Sequence, residues 1–82
     1  MPRYLRNRST KEIVAFLLAH GFLHSNTVGD DDIYVKNSWP YPVKVTQNRK
    51  STPIGTMQSI KRWSGYKSKE WVKWWKENGY GE

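Results

Sequence analysis

Residues 28–36, VGDDDIYVK, decide how this chain is read. Gly29-Asp30 is a tight-turn signal. Ile33 and Val35 then alternate with Tyr34 and Lys36, the period of a half-buried strand. The same stretch places Asp30, Asp31 and Asp32 side by side. The chain around them is basic, with fourteen Lys and Arg against seven acids and a net charge of +7. Three of the seven acids therefore sit at one turn.

Working outward, residues 22–28 predict a first strand and residues 33–36 a second. The prolines of NSWPYP then interrupt pairing, because proline fixes φ and removes a donor. Val43 and Val45 alternate around Lys44 in a third strand. The three strands read as an antiparallel meander with one apolar face.

Helices flank this meander. In RSTKEIVAFLLAHGF, Ser9 and Glu12 have the spacing of a capping box. Ile13, Phe16 and Leu17, with Ala15 and Leu18 beside them, form an apolar stripe. His20 falls in the last turn, and Gly21 provides a left-handed stop. PIGTMQSIKRWSG predicts a second helix with Met57, Ile60 and either Trp63 or Ser64 on one side, ended by Gly65. KSKEWVKWWKENGYGE predicts a third, capped by Ser68 and ended by Gly79. Its Trp71, Trp74 and Trp75 share a stripe opposite Lys69, Lys73 and Lys76.

The order α-β-β-β-α with an additional C-terminal helix is an α+β layer, helices on one face of a sheet. Eighty-two residues make a single domain, 1–82. It divides into a basic N-terminal arm (1–8), a core (9–66) and a Trp-rich C-terminal helix (67–82). Such a short chain buries a modest core. It has no cysteine, so neither disulfides nor thiolate zinc can brace it. No run approaches a membrane span, and no signal-peptide pattern is present. These features predict a cytoplasmic protein without a membrane partner.

The charge favours a polyanionic partner, through phosphate contacts and counterion release. Arg49, Lys50, Lys61 and Arg62 are the candidate nucleic-acid-binding side chains. The backbone N–H groups near Gly55 and Thr56, at a helix start, suit a phosphate. Arg3, Arg6 and Arg8 would add non-specific contacts from the arm. A solvated basic surface, or an acidic protein partner, accounts for the same charge.

KEIVAFLLAHGF, the Gly-led hairpin and VKVTQNRKSTPIGTMQSIKRWSG together resemble the HicA toxins, the mRNA interferases of HicA–HicB toxin–antitoxin pairs. The likeness covers about residues 9–66, and its most specific part is GTMQSIKRWSG. It implies a double-stranded-RNA-binding-domain-like fold, RNA as substrate, endoribonuclease (hydrolase) activity and a HicB-like antitoxin as partner. The family keeps a catalytic histidine in a Gly-Ser-His turn and a second at the end of the third strand. Here those positions are Asp31 and Thr46.

This departure bears on catalysis. Metal-independent RNA cleavage needs a base that takes the 2′-hydroxyl proton near neutral pH, which suits imidazole and not an ordinary aspartate. The catalytic candidates are therefore His24, as a replacement base, and Asp31. His20 reads as a helix-end residue. The acid run reads as a solvated turn, a contact to a basic protein, or a metal site. The last lacks a calcium-loop pattern, so no metal or cofactor is expected. Trp71, Trp74 and Trp75 read as core, as a partner interface or as a base-stacking platform. The leading expectation is an RNA-binding protein, catalytic or not. The alternative is a non-catalytic protein-binding inhibitor or mobile-element accessory protein on the same fold.

Overall fold

A computed structural model describes residues 4–81. The elements run α1 (Thr10–Ala19), β1 (Phe22–Val28), β2 (Asp31–Lys36), β3 (Val43–Thr46), α2 (Ile54–Ser64) and α3 (Ser68–Glu77). The three strands form one antiparallel sheet in the order β1-β2-β3. This α+β arrangement is compatible with a double-stranded-RNA-binding-domain-like fold. No helix among the described residues is long and apolar enough to cross a membrane.

Local chemistry accounts for the element ends. Ser9 caps α1, and its box with Glu12 is closed in both directions. His20 closes the helix by stacking on Phe16 and donating from Nδ1 to the Phe16 carbonyl at 2.7 Å. The β1–β2 hairpin turns on Gly29 and Asp30, with Val28 facing Asp31. Strand β2 starts at Asp31, two residues earlier than the apolar alternation suggests, because the backbone ladder extends past the last apolar side chain. On α2 the buried line is Met57, Ile60 and Ser64, while Trp63 is half-buried. Lys67, rather than Ser68, is the N-cap of α3; its N–H donates to Glu70 at 2.7 Å.

The two sheet faces differ. Phe22, Tyr34, Val43 and Val45 are buried toward the helices, and Leu23, Val35 and Lys44 are exposed on the other side. Helix α1 lies against β1 and β3, α2 against β3, and α3 packs on α1. Trp71 stacks on Phe16 with centroids 3.7 Å apart. Trp75 Nε1 donates to the Glu12 carbonyl at 2.9 Å. Both tryptophans have 0% exposure, so they serve the core and present no ring to a partner or a base. Of the three, only Trp74 keeps a partly exposed edge, beside Tyr80.

Arg8 corrects the expected basic arm. Its side chain is fully buried, paired with Glu12 at 2.7 Å and lying 4.1 Å over the Trp75 ring. It also donates to the carbonyls of Tyr4, Tyr80 and Gly81. A guanidinium has five donors in a planar fork, enough to join several backbone acceptors at once. Arg8 thus ties the segment before α1 to the segment after α3. Arg6 is exposed, and Arg3 lies outside the described residues.

Candidate functional site

The three aspartates separate as soon as the backbone pleats. Asp31 and Asp32 point to opposite faces of the sheet. Asp31 pairs outward with Thr46, whose hydroxyl donates to it at 2.8 Å. Asp32 faces the helices. Asp30 stays exposed in the turn, and its carbonyl accepts from Gln47 N–H at 2.8 Å. No group of three or more potential metal-ligating His, Asp or Glu residues forms among the described residues.

Asp32 is the centre of a polar cluster. Its Oδ1 accepts from Thr27 Oγ1 at 2.6 Å and from Gln47 Nε2 at 2.9 Å, and His24 Nε2 lies 3.2 Å away. The Thr27 hydroxyl bond, with those from Gln47 and His24, holds the Asp32 carboxyl below its ordinary value, against a smaller effect of burial. The carboxylate is charged at neutral pH.

That network determines the His24 tautomer. His24 Nε2 also lies 3.1 Å from Thr27 Oγ1. Thr27 spends its single proton on Asp32, so both neighbours of Nε2 are acceptors. Nε2 therefore carries the proton, and Nδ1 holds the basic lone pair. The ring sits edge-on to Tyr34, with centroids 5.7 Å apart. Burial, and then the Asp32 charge, push the Tyr34 phenol up, so it is neutral. The His24 side chain is 48% exposed and that of Asp32 18%, so the imidazole is reachable while its partner is sheltered.

A β-bulge brings these residues together. The register shifts between His24 and Asn26: His24 pairs with Tyr34, Asn26 with Ile33 and Thr27 with Asp32. Strict alternation would put Asn26 on the face of His24. The extra residue, Ser25, breaks that parity and turns Thr27 to the face of His24 and Asp32.

Asp32 also lines a groove of about 480 Å³ between α1 and the sheet. Thr10, Lys11, Val14 and Leu18 form its α1 wall, and Tyr34, Gln47 and Asn48 complete it. Arg49 and Lys50 follow directly in the chain. Thr10 clamps that loop to α1: its N–H donates to the Arg49 carbonyl and its hydroxyl accepts from Arg49 N–H, both at 2.9 Å. Arg49 Nη1 is buried without a hydrogen-bond partner, so part of this guanidinium remains unsatisfied beside the groove loop.

The remaining candidate RNA contacts are dispersed. Gly55 and Thr56 lie in the first turn of α2, where no side chain caps the helix. Lys61 and Arg62 lie in its last turn, with Lys61 roughly 9 Å along the axis from Gly55 at 1.5 Å per residue. The four cations therefore form two groups. Thr27, Gln47, Asn48 and Lys11 enter the site without any sequence signal of their own, since each is an ordinary polar residue until strand register and helix docking place it.

No family model matches the chain, and no curated protein matches it.

Proposed function

We propose that this protein binds RNA in the groove between α1 and the hairpin and cuts it without a metal, as a HicA-like mRNA interferase with a relocated base. The observation that carries the reading is the His24–Asp32 pair at 3.2 Å beside that groove. An accessible imidazole, oriented by a sheltered carboxylate, is a general-base arrangement. Lys11, Arg49 and Lys50 offer cations at or near the groove for the phosphates, in a chain of net charge +7. In the reaction, His24 Nδ1 takes the ribose 2′-hydroxyl proton. The 2′-oxygen attacks the adjacent phosphorus, the P–O5′ bond breaks, the 5′-oxygen takes a proton from water, and the hydroxide so formed takes the proton back from the His24 imidazolium. The products are a 2′,3′-cyclic phosphate and a 5′-hydroxyl. Asp32 stabilises the imidazolium and holds the ring.

The test is cleavage of a labelled structured RNA on a denaturing gel in EDTA. Wild type is run beside His24→Ala and Arg49→Ala/Lys50→Ala. The reading expects EDTA-resistant cutting that falls at least about 100-fold in His24→Ala, with RNA retention unchanged. Intact RNA with the folded wild type, or cutting that persists in His24→Ala, defeats it.

A second reading, a protein partner such as a HicB-like antitoxin, has one observation in its favour. The outer sheet face exposes Leu23, Val28 and Val35, an apolar surface suited to contact. It predicts a stable heteromeric complex disrupted by Leu23→Asp/Val35→Asp, measured by co-purification.

A further inference from the structure

The corner between α2 and α3 carries a second groove, of about 310 Å³. Gln58, Lys61, Arg62, Tyr66 and Lys67 line it around Gly65. It shares no lining residue with the groove at Asp32, and none of its lining residues is an acid.

Cations in the last turn of a helix ordinarily complement its dipole and terminal carbonyls. Other groups already cap these carbonyls. Ser64 Oγ donates to the Lys61 carbonyl at 2.7 Å, and Gly65 N–H donates to that of Arg62 at 3.3 Å. No ion pair engages Lys61, Arg62 or Lys67 among the described residues. Glu70, the acid of the first turn of α3, accepts from the Lys67 backbone N–H. Arg62 meets Ser59 only at 3.5 Å, the outer limit of a hydrogen bond. Tyr66 adds a donor: its hydroxyl accepts from Lys36 Nζ at 2.7 Å, which leaves its own proton to give away. Three cations and a hydroxyl around one concavity match the charge and acceptor pattern of a phosphodiester.

We infer that this corner is a second phosphate site, which holds the RNA backbone at a point away from the groove at Asp32; the inference rests on the RNA reading above. An RNA long enough to reach both grooves gains from the two contacts jointly, and a short one uses a single groove.

The experiment pairs two measurements on the full chain. Amide NMR with pyrophosphate as the probe reads the corner directly. Binding of a structured RNA across a salt series reads its contribution to RNA affinity, for wild type, Lys61→Ala/Arg62→Ala/Lys67→Ala and Arg49→Ala/Lys50→Ala. Pyrophosphate is expected to shift Gly65, Tyr66 and Lys67 in wild type and in the Arg49/Lys50 variant, but not in the triple variant. The triple variant is expected to bind RNA about tenfold or more weaker at low salt. Its log K against log salt slope becomes shallower by about 2, since each lost phosphate contact removes about 0.7–0.9. A melt confirms that the triple variant is folded. An unmoved corner, or a triple variant with the wild-type slope while wild type retains RNA, overturns this site alone. A wild type that fails to retain RNA while pyrophosphate still shifts the corner overturns RNA as the ligand of both grooves.

Discussion

Thr46 Oγ1 donates a 2.8 Å hydrogen bond to Asp31 Oδ1 across the β2–β3 ladder. The resemblance drawn from the sequence implies histidines at these two positions. In this chain they satisfy one another on the sheet face away from the α1 groove. The acid cluster at the hairpin is thereby explained in part: Asp31 fastens β2 to β3, and Asp32 gathers Thr27, Gln47 and His24.

The two neighbouring aspartates should consequently separate in function. Asp31→Ala is expected to lower stability by about 1 kcal/mol, the net worth of one hydrogen bond, and, on the RNA-cleaving reading proposed above, to leave cleavage within about twofold of wild type. On the mechanism proposed above, Asp32→Asn is expected to reduce cleavage at least about tenfold, because it removes the charge assigned to stabilise the imidazolium. Urea unfolding and single-turnover cleavage, measured on both variants, check the contrast.

Asp32 also sets a limit on the acid side. Its folded pKa lies below the unfolded value, so its contribution to stability is complete above about pH 4. It is lost as pH falls through the lowered folded value. Tyr34 behaves oppositely. Its folded pKa is raised, so its contribution is complete below about pH 10 and is lost as pH rises through the folded value. Thermal melts across pH are expected to show a shallower acid slope in Asp32→Asn and a shallower alkaline slope in Tyr34→Phe.

Gly65 joins α2 to the rest of the fold in a way no other residue can. Its φ is +81°, and an added Cβ would lie 2.6 Å from a Trp39 ring carbon. Trp39 is itself anchored, donating from Nε1 to the Trp63 carbonyl at 2.8 Å. Left-handed backbone costs about 1–2 kcal/mol, and overpacking adds about 1–3. Gly65→Ala is therefore expected to lose about 2–5 kcal/mol in urea unfolding. A loss under 1 kcal/mol would contradict the tight seating of Trp39.

Arg8 should be among the most sensitive positions in the chain. Arg8→Ala leaves the Glu12 carboxylate sheltered without its buried cation, a change that costs about 3–5 kcal/mol. For a domain of this size that approaches the whole folding free energy. Arg8→Ala is expected to be unfolded or nearly so by circular dichroism at 25 °C. Arg6→Ala, at an exposed position, is expected to melt within a few degrees of wild type.

Local chemistry alone determined much of this protein. The Ser9–Glu12 box, the Gly29-Asp30 turn, the valine alternation of β3 and the Gly65 stop were all legible, because caps, turns and periodicity are decided within a few residues. The basic balance was legible for the same reason: it is a sum over the chain. Tertiary structure decided the site. Arg8 reads as an arm residue until Trp75, Tyr80 and Gly81 close over it. His24 gains Asp32 and Thr27 only through the bulge at Ser25, which breaks the parity that sequence spacing assumes. Asp31 and Thr46, fifteen residues apart in the chain, meet only by strand register. Each of these depends on non-local pairing, which loop closure and packing select and no short window of sequence contains.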